Sequence, residues 1–340
     1  MAYPTIDTGL TRPGEAYGGS TDPLELFLKK FSGEVITLFE HLNMLKPFVR
    51  MRTLRRAKSA QFPVLGRASA GYFSPGQNLL QDSGGLLTQF EQIERVIYAD
   101  KKLVAGTTID EWDDLINHYE VRQEYTRELA QALAREFDYN VLKVLAVGAN
   151  TAATGTGSQF PGGTRLDIND GGTEETDGAA LVAHLFTSAK TLDNNYVPQD
   201  GNRWAILSPT AYYAICQQKD VIDSDYTVMR NGGLDTGKVK QVAGINLLSC
   251  PHVGDVTFRD NHLSTAHGMT ATELNDYVVD CTKTRAFVFH TSALGGVTVQ
   301  DLSFESEWLI EYQAWLLLAK FIMGLRPLRP EAIVEWYDSV

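Results

Sequence analysis

The stretch TIDEWDDLINHYEVRQEYTRELAQALAREFDYNVLKVLAVG, residues 108–148, carries the strongest helical pattern in the chain. Thr108 or Asp110 can act as N-cap, acidic residues follow at the positive end of the helix dipole, and Gly148 suits the C-terminal cap. With roughly 38 residues rising about 1.5 Å each, the helix is expected to be on the order of 55 Å long. Its apolar stripe predicts one buried face: Trp112, Leu115, Ile116, Tyr119, Tyr125, Leu129, Leu133, Phe137, Val141 and Leu145.

The segments before this spine helix have a different character. Residues 1–22 are rich in Gly, Pro, Thr and Ser and lack the features of a signal peptide, so we expect a flexible arm. Asp22 and Pro23 then begin a short helix, which Pro47 closes. Residues 48–97 alternate between apolar and polar and contain several Gly and Pro turn signals, which predicts a long two-stranded excursion with a mobile tip.

Charge is unevenly distributed along the chain. Residues 41–81 contain seven Lys or Arg and no acid, so they carry +7 against −19 for the remainder and −12 overall. Two interpretations stay open from charge alone: this segment contacts nucleic acid, or it docks on an acidic protein surface.

The second half of the chain is expected to alternate between strands and helices. Residues 150–178 form a polar, Gly-rich connection that predicts a hairpin loop or a lobe boundary. The pattern after it favours a small α/β lobe, followed by strands that return to the first lobe. The expected helices are 179–195 and 210–218, and the expected strands are 204–208, 242–248, 285–290 and much of 296–325.

Composition indicates a soluble protein with two linked lobes. The chain has 340 residues, of which 44% are hydrophobic, and this is ample for a buried core. The most apolar stretch, residues 315–325, is interrupted by Lys320 and falls short of the roughly 20 apolar residues that span a bilayer. The odd number and wide spacing of the cysteines favour a reducing compartment and buried, unpaired roles for Cys216, Cys250 and Cys281.

Enzyme-like motifs are weak. Residues 232–239, GGLDTGKV, meet the spacing of a phosphate-binding loop, but Val239 stands where Ser or Thr would hold magnesium, so we expect a surface turn. The candidate metal ligands lack the paired spacing of a zinc site: Cys250, His252, His262 and His267. No GxSxG elbow occurs, and the alternating acids are typical of solvated strand positions: Glu305, Glu307 and Glu311. The sequence therefore predicts no catalytic site, no cofactor and no metal.

Several runs of residues, in order along the chain, resemble the major capsid proteins of T-seven-like short-tailed bacteriophages, the podoviruses. The most specific is KSAQFPVLGR at residues 58–67. Four other stretches resemble the same family. The first is LFLK at 26–29 with GEV at 33–35, and the second is NHY at 117–119, VR at 121–122 and EYT at 124–126. The third is NYVP at 195–198, and the fourth is LRPEA at 328–332.

This resemblance implies an α+β chain with the Hong Kong 97 type of phage capsid fold. Its parts would be an N-terminal arm with a short helix, an extended two-stranded loop, a peripheral domain that carries the spine helix, and an axial α/β domain. The implied boundaries are 1–47 for the arm, 48–100 for the extended loop, 101–177 with 285–340 for the peripheral domain, and 178–284 for the axial domain.

The resemblance also implies a function without catalysis. Such subunits form hexamers and pentamers that close into an icosahedral shell around a scaffolding protein, with a portal protein at one vertex and double-stranded DNA as non-specific content. A decoration protein is a further candidate partner, and the location is the virion, after assembly in the host cytoplasm. We expect the assembly interface of the extended loop to use six basic residues: Arg50, Arg52, Arg55, Arg56, Lys58 and Arg67.

The alternative function is a nucleic-acid-binding protein that uses residues 50–67. Sparse aromatic residues in that segment and the acidic balance of the whole chain argue against it, since nucleic-acid-binding domains present a basic face.

Overall fold

A computed structural model of the chain describes most of the sequence beyond the arm. The expected arm and helix of residues 1–42, the tip of the excursion and the phosphate-loop-like run at 232–239 lie outside the described residues. The described residues are 43–67, 70, 72, 75, 91–99, 102–110, 121–155, 159–168, 176–218, 241–254, 277, 279 and 281–338.

The described chain divides into two compact units, and the smaller one comprises Leu103–Ala134 and Leu302–Phe321. It holds β4 (Leu103–Asp110), the second part of β10 (Leu294–Leu309), the first part of β11 (Ala314–Pro327) and the first half of helix α1 (Val121–Asn150). β4 pairs antiparallel with β11. Helix and strands share one apolar core, formed by Ile109, Ala130, Leu133, Ala134, Leu317 and Ala319.

The larger unit comprises Met44–Lys102, Arg135–Asp301 and Ile322–Val340. Its main sheet has the order β5-β12-β9-β6-β8-β7 and mixes parallel with antiparallel pairs. The bounds are β5 (Thr164–Asp167), β6 (Arg203–Leu207), β7 (Gln241–Val242), β8 (Ile245–Ser249), β9 (Thr284–His290) and β12 (Ile333–Tyr337). Strands β9 and β12 are buried at every position except Arg285 and Tyr337, which are half-buried.

Two helices pack on this sheet. Helix α2 (Gly178–Asn194) begins at Asp177, whose carboxylate accepts from the N–H groups of Ala179 and Ala180. Helix α3 (Pro209–Cys216) begins at Ser208 and has proline in its first turn. The indole N–H of Trp336 donates to Ser188 Oγ at 2.8 Å, so a buried hydrogen bond joins β12 to α2.

Three further strands lie in the larger unit. β1 (Arg50–Thr53) pairs parallel with the first part of β10, and β2 (Ser59–Leu65) pairs antiparallel with β3 (Gln92–Tyr98). Short 3-10 turns occupy Lys46–Phe48, Pro251–Gly254, Thr291–Ala293 and Pro330–Ala332.

The spine helix is confirmed, but its predicted start is wrong. Thr108 and Asp110 lie in β4, opposite Leu316 and Ala314 of β11, and therefore do not cap the helix. The run LVAGTTID contains four β-branched residues and alternates between exposed and less exposed positions, which suits a half-buried strand better than a first helical turn. Of the predicted stripe, Leu129, Leu133, Phe137, Val141 and Leu145 are buried, whereas Tyr125 is exposed. Trp112, Leu115, Ile116 and Tyr119 lie outside the described residues.

The predicted end of the helix is also wrong. Gly148 is a buried residue inside the helix, which continues to Asn150. A Cβ at this position would lie closer than 3.0 Å to Ile333 Cδ1 and 3.1 Å from Pro327 Cβ. A side chain at this position would displace the end of the Ile333 side chain, so Gly148 lies at a packing contact between α1, β12 and the end of β11 and not at a turn of the chain.

The predicted two-stranded excursion is confirmed only in part. β2 and β3 form the expected antiparallel pair, but residues 50–53 belong to β1, which pairs with β10 instead. Alternation identified a strand correctly and could not identify its partner. The Gly-rich connection, predicted as a loop or boundary, contains β5, a strand of the main sheet.

Other predictions hold within the described residues. The strands and helices expected from residue 179 onward are present, with residues 242–248 divided into β7 and β8 by a turn at Ala243 and Gly244. All three cysteines are buried, and none of them forms a disulfide. The described helices include none with the length and apolar character of a membrane span.

Candidate assembly surface

The β2–β3 hairpin has one end embedded in the larger unit. Ala60 of β2 and Ile97 of β3 are buried together with Val297 of β10, and Leu54, Phe62 and Leu328 pack around them. Alternate residues of both strands point to solvent, with Leu65 64% and Tyr98 50% exposed. A two-stranded ribbon by itself is marginally stable, so this apolar contact supports the hairpin at that end.

Five of the six basic residues proposed for assembly lie near this embedded end. Arg50 and Arg52 point from β1, and the other three lie in the connection from β1 to β2. All five are exposed, and within the part of the chain that the structure describes none forms an ion pair. Arg52 lies over the ring of Phe62 at 5.9 Å, and Arg56 has a positive φ of 57°. This row of unpaired cations comprises Arg50, Arg52, Arg55, Arg56 and Lys58.

Arg67, the sixth basic residue, lies at the other end of the hairpin and has partners within the chain. Its guanidinium Nη2 donates to the carbonyl oxygen of Asn195 at 2.7 Å. The same guanidinium lies 5.4 Å from the centre of the Tyr196 ring, in a cation–π arrangement. The structure therefore separates Arg67 from the other five.

Residues from three of the stretches that carry the family resemblance meet at this point. Arg67 contacts Asn195 through the carbonyl oxygen, and the Asn195 side chain donates from Nδ2 to the Glu331 carbonyl at 3.0 Å. On the same stretch as Glu331, Leu328 packs against the embedded end of the hairpin. Arg326 adds a hydrogen bond to the carbonyl oxygen of Val96 in β3 at 2.8 Å.

A buried arginine supports the loop that follows α2. Arg203 is 1% exposed, and its guanidinium donates to Asp193 Oδ1 at 2.7 Å and to the carbonyl oxygens of Val197 and Pro198. Hydrogen bonds from Gln199 and then Arg203 hold the pKa of Asp193 below its usual value. The loop is thus fixed in one conformation by a buried cation.

The exit of the N-terminal segment is fixed by another buried charge. Asp138 of α1 is fully buried and accepts hydrogen bonds from the backbone N–H groups of Met44 and Leu45 at 3.2 and 3.1 Å. His252 Nε2 lies 3.6 Å from the same carboxylate. Asp138 therefore fixes the backbone at Met44 and Leu45 against the spine helix.

A buried acidic group lies on β12, next to the edge strand β5 of the main sheet. Glu335 of β12 accepts hydrogen bonds from Thr284 Oγ1 at 2.6 Å and from Arg165 Nε at 2.9 Å. Burial raises the pKa of Glu335, while these two partners oppose the shift. The group ties β5, β9 and β12 together.

The features that resembled enzyme sites do not assemble into one within the described chain. Burial raises the pKa of the Cys250 thiol to about 12, and the His252 ring packs edge-on against Tyr139 with centroids 5.3 Å apart. His262 and His267 lie outside the described residues. No group of three or more possible metal ligands occurs in the described ranges. As expected of solvated strand positions, Glu305 and Glu307 are exposed, and Glu305 pairs with Lys320; Glu311 is exposed in the turn that joins β10 to β11.

Sequence reasoning did not identify Asp138, Asn195 or Arg203 as anchoring residues. Asn195 lies in NYVP, one of the runs that resemble the capsid family, but the resemblance assigned no role to its side chain. Asp138 is a polar residue next to the apolar stripe of the helix, and its position in the sequence does not indicate that the backbone N–H groups of Met44 and Leu45 lie beside it.

Comparison with known proteins connects this geometry to a family. The profile of the family described as Gp10A-like major capsid protein matches residues 61–336. The major capsid protein of Enterobacteria phage T3 is 33% identical over 325 residues, which cover 92% of this chain and 91% of that protein. The major capsid protein of Escherichia phage T7 is 32% identical over 336 residues, 95% of this chain and 94% of that protein.

Solved structures agree. The capsid structure of Cyanophage P-SCSP1u matches with a TM-score of 0.70 at 30% identity, over 87% of this chain and 88% of that one. The mature capsid of bacteriophage PhiM1 matches with a TM-score of 0.67 over 99% and 92%, and at 15% identity it shows the fold alone. The α+β architecture of the Hong Kong 97 type is confirmed. Because the family profile spans most of the chain and relatives at 33% identity match nearly all of it, the chain belongs to the Gp10A-like family of major capsid proteins, which build the head shells of phages.

Proposed function

We propose that this major capsid protein assembles as hexamers and pentamers into a closed icosahedral shell around the phage genome, and that it has no catalytic activity. The named relatives and the solved phage capsids support this proposal. Scaffolding protein, a portal protein at one vertex, and assembly in the host cytoplasm belong to the same proposal, as does a decoration protein as a further candidate partner.

The proposed domains are those implied by the family. Residues 1–47 would form the arm and 48–100 the extended loop, which includes β2 and β3. Residues 101–177 with 285–340 would form the peripheral domain with α1, and residues 178–284 the axial domain with α2 and α3.

The row of unpaired cations carries the proposal for how subunits meet. The chain has a net charge of −12, so a neighbouring copy presents abundant acid, whereas these five residues have no ion-pair partner within the described part of their own chain. Cations from one copy can therefore dock on acidic side chains of the next. Each such contact is weak at the surface, and a closed shell multiplies many of them.

Overall charge supports the role of a container. A shell around packed DNA should not bind the DNA phosphates strongly, and the net negative charge of the chain opposes such binding. No comparison favours the alternative of a nucleic-acid-binding protein.

The test reverses charge in the row of unpaired cations. The double variant Arg55→Glu with Arg56→Glu should remain folded, because exposed charges contribute little to intrachain stability, while shell assembly should slow or fail. Assembly of the parent should also weaken at high salt, since exposed pairs are screened over about 8–10 Å at physiological ionic strength. Electron microscopy and sedimentation, with and without scaffolding protein, give the yield of shells.

A matched control carries the same change of charge elsewhere. Lys102→Glu with Lys190→Glu replaces two exposed cations outside the row and should assemble normally. Normal shells from the Arg55 and Arg56 double variant would refute the docking proposal. If that variant instead formed shells while losing salt-dependent affinity for DNA, the nucleic-acid function would be supported.

A further inference from the structure

The hairpin of β2 and β3 is held at both of its described ends. At one end Ala60 and Ile97 are buried in the apolar cluster. At the other end, Gly66 and Arg67 follow β2 and meet residues from two distant segments of the same chain. A single attachment would leave the hairpin free to rotate about that point, whereas two attachments define its direction.

The second attachment includes a hydrogen-bonded cluster around Gln159. Its carbonyl oxygen accepts from the Arg67 N–H at 3.3 Å, and its side-chain Oε1 accepts from the Glu91 N–H at 3.2 Å. Gly66 N–H donates to the Glu91 carbonyl at 2.9 Å, which joins the two sides of the hairpin beyond the strands. A Cβ on Gly66 would lie closer than 3.0 Å to Gln159 Oε1 and 3.2 Å from the Glu91 carbonyl oxygen, so a side chain at this position would displace the Gln159 amide from the cluster.

Tyr196 supplies an independent sign that this attachment has a function. It occupies the position after the C-cap of α2, with its N–H donating to Asp193 and the next N–H donating to Leu192, the two bonds of a Schellman motif. Its φ is 57°, in the left-handed region where glycine is usual. The ring is 82% exposed, so burial does not offset this strain, but it stacks on Arg67.

We propose that Arg67 is a positioning residue for assembly, which with Asn195, Tyr196 and Gln159 forms an intrachain latch that fixes the direction of the β2–β3 hairpin. The latch presents the exposed face of the hairpin, including Leu65 and Tyr98, in one orientation to a neighbouring copy. It thereby removes most of the ordering cost that each contact would otherwise carry. This inference rests on the proposed function, because it assigns the hairpin to a contact between subunits.

The latch assigns Arg67 a role different from that of the row of unpaired cations. Arg55 and its neighbours would act by charge on the next subunit, whereas Arg67 acts inside its own subunit through a directed hydrogen bond and stacking. Lysine can keep the charge but not the planar fork of donors or the same stacking. Conservative substitution therefore separates the two roles.

The experiment measures hydrogen exchange of the β2 and β3 amides in the unassembled full-length chain, and in parallel the rate of shell formation. Arg67→Ala should accelerate that exchange by about tenfold and slow assembly, because a charged hydrogen bond and a stacking contact are lost. Arg67→Lys should give an intermediate result. The matched control Arg55→Ala removes the same charge and should leave exchange in the hairpin unchanged.

A second variant separates the latch from general stability. Tyr196→Gly removes the stacked ring but also relieves the left-handed strain, so the melting temperature should stay level or rise while exchange in the hairpin accelerates. A merely structural role for Tyr196 would move both readouts in the destabilising direction and would overturn the proposal.

Two other results would overturn it. Slow assembly of Arg67→Ala with unchanged exchange would show that Arg67 acts as an interface charge, and faster exchange with normal assembly would show that orientation of the hairpin does not matter. Failure of the parent chain to form shells would remove the proposed function, while the exchange data would still decide whether the latch exists.

Discussion

Replacing Gly148 by alanine tests the close contact between α1 and the end of the chain. A new Cβ would overlap Ile333 Cδ1 and lie 3.1 Å from Pro327 Cβ, in a site where Ile333 is fully buried. Overpacking of this kind costs about 1–3 kcal/mol. Alanine in a helix interior recovers up to about 1 kcal/mol relative to glycine, so the net loss of unfolding free energy should be about 1 kcal/mol.

A second substitution shows whether the clash is the cause. Ile333→Val removes the overlapping Cδ1 and by itself should cost about 0.5–1.5 kcal/mol, because it deletes one buried methyl group. Combined with Gly148→Ala, it also makes room for the new methyl. The double variant should therefore be more stable than the sum of the two single losses predicts, by about 1–2 kcal/mol.

Urea unfolding of the unassembled chain measures these differences, with midpoints and slopes compared across the four proteins of the cycle. Equal slopes are needed for a clean comparison, because two compact units can unfold separately. Strictly additive losses would refute the assignment of Gly148 as a packing glycine. A more stable Gly148→Ala variant would do the same, since it would mean that helix propensity outweighs the contact.

Three further predictions concern the core, the pH dependence and the arm. Leu133→Ala should lower the unfolding free energy by about 2–5 kcal/mol, since the side chain is 1% exposed in the core of the smaller unit, and an unchanged melting curve would contradict that placement. The raised pKa of Glu335 means that the folded state binds its proton more tightly than the unfolded state does. Stability from this group is therefore present at low pH and lost as pH rises from about 4.5 through the raised pKa, and Glu335→Gln should remove that loss in unfolding experiments across pH. Deleting residues 1–22 should leave cooperative unfolding intact by calorimetry, because the first fixed point that the structure describes is the contact of Met44 and Leu45 with Asp138.

Local patterns predicted the elements well where one face is buried. The stripe from Leu129 to Leu145 identified α1 because helical spacing and burial coincide there. The predicted cap failed at Asp110 because acidic residues after a β-branched strand produce the same signal as an acidic first turn. The prediction that Gly148 caps the helix failed for a related reason, because the sequence does not distinguish a glycine at a close packing contact from a glycine at a turn.

Pairing between distant segments could not be predicted from the same patterns. Residues 50–53 alternate as a strand does, but nothing in them specifies β10 as partner. Burial of Lys143 in α1 is a similar case, because only the complete fold surrounds this side chain and lowers its pKa by burial. Such features depend on several segments at once, and periodicity within one segment carries no information about them.

In the candidate site too, features set by the local sequence could be predicted and contacts between distant segments could not. Absence of acid in residues 41–81 was enough to predict an exposed basic row, and Arg55 and Arg56 are exposed without ion-pair partners in the described chain. The hydrogen bond from the Arg67 side chain could not be predicted, because its acceptor is a backbone carbonyl 128 residues along the chain. Every residue has such a carbonyl, so its sequence identity gives no signal.

Burial of the three cysteines affects what the subunit can tolerate outside a cell. The thiolate is the form that attacks disulfides and oxidants, and with a pKa of about 12 the Cys250 sulfur is almost never in that form at neutral pH. Cys216 and Cys281 are buried as well, so none of the three cysteine thiols is accessible in the folded chain. If the proposed shell forms, we therefore expect it to form no mixed disulfides through these three cysteines in air.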